Sequence, residues 1–71
     1  MDQSKEVRLA YEIADMLNDR KSIDWHIECA MKYSESFLRE KVNYVLSKPG
    51  IKNRAAYYNR LIQLHAKHTR D

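Results

Sequence analysis

His26 and Cys29 stand three residues apart, and so do His65 and His68. On a helix that spacing puts two side chains on one face, so each pair poses a chemical question. A metal site needs three or four ligands and usually a second shell that orients them. The two pairs fall on different predicted helices, and the spacing supplies no complete ligand set. Cys29 beside His26 also has the spacing of a thiolate–imidazole pair, but a nucleophile of that kind needs an orienting group and an oxyanion site. No pattern in the chain supplies either, and the carboxylates are scattered over solvent faces. A single glycine excludes a glycine-rich phosphate loop. The expectation is therefore no catalysis, no metal and no cofactor. His65 falls on an apolar arc and reads as a core histidine with a satisfied ring nitrogen.

The cations carry the stronger signal. Residues 1–35 hold five basic and eight acidic residues, a net of −3, whereas residues 36–71 hold eight basic and two acidic ones, a net of +6. The bulk net charge of +3 hides this split. A basic surface of this kind suits an anionic partner; it also suits plain mutual offset of the two halves, within one fold or between two copies. Lys48, Lys52, Arg54, Arg60, Lys67 and Arg70 form the candidate nucleic-acid face, with Asn59 and Gln63 adding amide hydrogen bonds to phosphate. Tyr57, at the rim of that face, has the ring needed to stack a base. Single-stranded DNA and duplex both remain candidate partners, and an ordinary solvated face is the competing reading.

The elements that position these groups follow from periodicity and punctuation. A first helix is predicted from about Ser4 to Leu17, with Val7, Ala10, Tyr11, Ala14 and Leu17 inward. Leu9 and Met16 then lie round the other side, as cover for a neighbouring helix or as a dimer surface. Ser22 is placed to cap a second helix starting at Ile23, in which Ile23, Ile27, Ala30 and Met31 share one face and Trp25 and Cys29 the other. Trp25 reads either as a plug between helices or as an anchor for a partner. Ser34 or Ser36 caps a third helix, which runs to Ser47 with Leu38, Val42, Val45 and Leu46 inward and Phe37 and Tyr44 flanking. Pro49 disfavours helical geometry at Lys48, and Asn53 caps a fourth helix from about Arg54 to Lys67. On it, Ala55, Tyr58, Leu61, Ile62 and His65 share one arc, while Asn59, Arg60, Gln63 and Lys67, joined by Lys52, face away. The second and third helices also suit a helix-turn-helix, exposing Ser36, Arg39, Glu40, Asn43 and Ser47.

Composition bounds the rest. The 71 residues suffice for one domain, and one proline and one glycine are too few turn residues for a sheet protein. The expectation is an all-α, compact bundle of four short helices, a single domain over residues 1–71. A lone cysteine points to a reducing, cytoplasmic setting. No run approaches the roughly 18 apolar residues of a membrane span, and "MDQSKEVRLAYE" has no apolar signal core, so neither a membrane partner nor export is expected.

"LNDRKSIDWHIECAMKY" followed by "IKNRAAYYNRLI" resembles the small helical modules at the C-termini of bacterial and mobile-element replication proteins. It is most similar to the DnaD-like domain of primosome and phage replisome-organiser proteins, over roughly the last two-thirds of the chain. That family ends in a helix carrying an aromatic residue, an aliphatic one four later and a Trp four after that, associated with DNA binding. Tyr58 and Ile62 match the first two, and Ala66 stands at the third. The resemblance implies a replication or DNA-handling role. The alternative is a protein-interaction or regulatory module, working through Leu9, Met16 or Trp25, as a homodimer or with another protein.

Overall fold

The computed structural model describes residues 4–69, with side chains to residue 66. Its four helices are α1 (Lys5–Met16), α2 (Ile23–Lys32), α3 (Glu35–Ser47) and α4 (Arg54–Thr69). A single 3₁₀ turn, Arg20–Ser22, leads into α2. The described residues contain no strand, so the all-α expectation holds. α1 packs against both α2 and α3, and α3 in turn holds α4.

Each helix starts or stops for a local reason. Ser4 Oγ accepts from the Val7 N–H at 3.1 Å, and Ser34 Oγ from the Phe37 N–H at 3.2 Å. Both hydroxyls satisfy donors that the first helical turn leaves unpaired. α1 ends where Asn18 takes a left-handed φ of 54°. The Asn18 N–H then donates to the Asp15 carbonyl at 3.1 Å and the Asp19 N–H to the Ala14 carbonyl at 2.7 Å. That pair of bonds is a Schellman closure, with asparagine in the place glycine usually takes. Lys48 is extended (φ −89°, ψ 123°), as a residue before proline must be. Gly50, at φ 82°, turns the chain as the third residue of a Pro-Gly turn. Asn53 Oδ1 accepts from the Ala56 N–H at 3.0 Å and opens α4.

Three expectations are corrected. Ser22 makes no side-chain cap. The chain enters α2 from a 3₁₀ turn with near-helical torsions, whereas a capping hydroxyl works from an extended residue. In α1 the buried stripe is Leu9, Ala10, Ile13, Ala14 and Leu17, with Val7 and Tyr11 only half-buried. Two neighbours, α2 and α3, use the wider arc, so Leu9 is core and Met16 is half-buried against it. In α2 the buried residues are His26, Cys29 and Ala30, while Met31 is 62% exposed. His26, which the periodicity assigns to neither face, lies on the inner one.

Candidate functional site

The Schellman closure of α1 places Asp19 at the foot of α2. Its Oδ2 lies 3.0 Å from His26 Nε2, and both residues are buried. The carboxylate accepts, so Nε2 donates, and the pair satisfies two polar groups that would be costly to bury alone. Around it Trp25 meets His26 edge-on at 5.3 Å and Tyr58 edge-on at 6.1 Å between ring centroids. Trp25 is thus a wall of the core between α2 and α4. His26 Nδ1 and the Tyr58 hydroxyl are buried without a partner among the described residues. Burial pushes the Cys29 thiol up to about 11, so it is held protonated and unreactive. No group of three or more His, Cys, Asp or Glu residues among those described is arranged to hold a metal ion.

His65 is half-buried and packs against Phe37 at 4.3 Å and Tyr33 at 5.9 Å between ring centroids. The fully buried histidine is His26, which the periodicity did not single out. Tyr58 and Ile62, the two residues matching the replication-family pattern, are core residues. Ala66 and Trp25 line one small cleft of about 140 Å³ between α2 and α4.

Of the predicted basic residues, Lys52 and Arg54 lie at the entry to α4, with Lys48 before it and Arg60 further along the helix. Lys48, Lys52, Arg54 and Arg60 are exposed, as is Gln63, while Tyr57 and Asn59 are half-buried. Arg70 and the Lys67 and His68 side chains lie outside the described residues. On one flank of the α4 N-terminus is a groove of about 530 Å³ where it meets the α1–α2 connection. Lys52, Arg54, Asn53 and Asn59 line it, and Lys21 reaches it from the α1–α2 connection. Lys21 was missed because it lies 31 residues before Lys52 in sequence, and no local pattern links the two. Asn59 Oδ1 is buried here without a partner.

Two arginines outside this region are paired with carboxylates. Arg20 binds Asp15 through Nη2 at 3.1 Å as well as Nε. Arg39 donates to Glu12 at 2.9 and 3.0 Å and to Glu35 at 2.7 Å. Those contacts hold the Glu12 and Asp15 carboxyls below their ordinary range, chiefly through the guanidinium hydrogen bonds. Arg39 is thereby tied up, which removes the one cation of the helix-turn-helix reading. By contrast, none of Lys21, Lys48, Lys52, Arg54 or Arg60 makes an ion pair among the described residues. The sequence holds no carboxylate from residue 41 to residue 70. No helix among the described residues is long and apolar enough to cross a membrane. Comparison with protein-family models, curated proteins and solved structures gives no match, so any functional reading stands on the residues themselves.

Proposed function

We propose that the chain is a non-enzymatic nucleic-acid-binding module that seats a phosphate backbone at the entry to α4, through Lys48, Lys52, Arg54 and Arg60, with Lys21 across the groove. The observation that carries this reading is that the exposed cations Lys48, Lys52, Arg54 and Arg60 lie in a stretch, residues 41–70, that holds no carboxylate, and none of them makes an ion pair among the described residues. An exposed cation that is not already neutralised is free to replace a counterion on a phosphate. The N-terminal end of the α4 dipole favours an anion at the same place. The resemblance to replication-protein modules agrees with this chemistry.

The test is salt-dependent binding. Affinity for DNA should fall steeply as salt rises. In the Lys52→Glu/Arg54→Glu double variant, the slope of log affinity against log salt should shrink by about two units, one per lost contact. Absence of salt-dependent binding in the parent protein, even at low ionic strength, would refute the proposal. A second reading, a protein-interaction module, is favoured by Met31, which α2 leaves 62% exposed. A dimer mass in solution that Met31→Lys abolishes would support it.

A further inference from the structure

On the flank of α4 away from the groove, two tyrosines meet across the α3–α4 seam. The Tyr44 and Tyr57 rings lie 6.3 Å apart between centroids, at an interplanar angle of 26°. Lys48, the extended residue just after α3, holds its ammonium 4.9 Å from the Tyr44 ring centre. Tyr44 nevertheless remains 44% exposed. Helical spacing puts Arg54 and Arg60 one turn to either side of Tyr57. Lys41, one turn before Tyr44, sits over Phe37 at 5.3 Å. Glu40, also one turn before Tyr44, is the nearby carboxylate in sequence. The seam is therefore an aromatic pair bordered mainly by cations.

Tyrosine can close a helix seam by packing alone, but then burial of the ring is what stabilises it. Here the ring is held in place by Tyr57 and Lys48 while much of its surface stays in water. The Tyr44 phenol is lowered from its ordinary value, first by the contact with Lys48 and then by that with Tyr57, which agrees with a close cation–phenol arrangement. Arrays of exposed aromatic rings between cations suit a strand whose bases are free to stack while its phosphates meet Lys and Arg. In a duplex the base faces are already stacked on each other and cannot reach such a ring.

We infer that the Tyr44–Tyr57 pair is a stacking platform for an unpaired nucleotide, whose base takes the place of the Lys48 ammonium over the Tyr44 ring while Lys48, Arg54 and Arg60 take the flanking phosphates. This deepens the proposed function, on which it rests, by naming single-stranded nucleic acid as the ligand class. Tyr57 was the ring expected from sequence; the exposed member of the pair is Tyr44.

The experiment compares three probes by fluorescence anisotropy at low salt: an oligothymidine strand, an abasic strand of the same length and a duplex of that length. The parent protein should bind the thymidine strand about tenfold to a hundredfold tighter than the abasic one. Tyr44→Leu should erase that preference, lowering thymidine-strand affinity far more than abasic affinity. Tyr44→Phe, which keeps the ring, should retain most of the preference. Equal binding of thymidine and abasic strands by the parent protein overturns the platform and leaves the phosphate reading standing. A Tyr44→Leu variant that keeps the full preference also overturns it. No binding to any of the three probes overturns both.

Discussion

Arg39 on α3 and Arg54 on α4 carry the same guanidinium, yet the molecule uses them in opposite ways. Arg39 ties Glu12 of α1 to Glu35 at the start of its own helix. Arg54 lines the groove at the α4 entry and makes no ion pair among the described residues. Arg20 and Arg39 are thus closed by carboxylates of α1 and α3, whereas the cations around the α3–α4 turn have no carboxylate beside them in sequence. A bundle of this size gains little from an exposed ion pair, so the distribution says more about availability than about stability. The open cations are the ones a partner can use.

Substitutions can break this contrast, beginning with the core that both regions share. Ile62→Ala should destabilise by about 2–5 kcal/mol, through lost burial and the cavity left beneath Tyr58. In a domain of this length that lowers the melting temperature by about ten degrees or more. A shift of only a degree or two would show that α4 does not pack by this face. Asp19→Ala should cost about 1–3 kcal/mol, because His26 keeps its buried Nε2–H and loses its acceptor. Chemical denaturation would measure this, and an unchanged midpoint would mean that the Asp19–His26 bond contributes nothing to the α1–α2 corner.

Arg39→Gln should lower the melting temperature less than Asp19→Ala does, since its carboxylate partners are half-exposed and the pairs are screened by solvent. The pH sign follows from Glu12, whose folded value lies below its ordinary 4.5. Its contribution is present above pH 4.5 and fades as pH falls through the lowered folded value. Thermal melts of the variant should therefore lose less stability on acidification than those of the parent. Arg54→Glu with Arg60→Glu should have the smallest effect on melting, within about 0.5 kcal/mol. Glutamate in the first turn of α4 even favours the helix dipole. If that pair of changes destabilises as much as Asp19→Ala, the open cations are structural and the contrast between the two regions fails.

The sequence by itself determined where the helices begin and end. Ser34, Asn53 and the Pro49–Gly50 turn act within three or four residues of themselves, so their effect is written locally. It also determined the charge asymmetry, because the absence of carboxylates from 41 to 70 needs no fold to be seen. Tertiary structure decided which arc of each helix turned inward. α1 carries a wider apolar arc than one contact needs, and only the positions of α2 and α3 selected Leu9 over Tyr11 as the buried side. His26 became core because a left-handed turn at Asn18 brought Asp19 to it. Arg39 was withdrawn from the surface charge by Glu12, 27 residues away, Lys21 was brought to the groove with Lys52, and Tyr44 was set beside Tyr57. Each of these depends on two elements meeting, and periodicity within one helix holds no information about what the next helix will place against it.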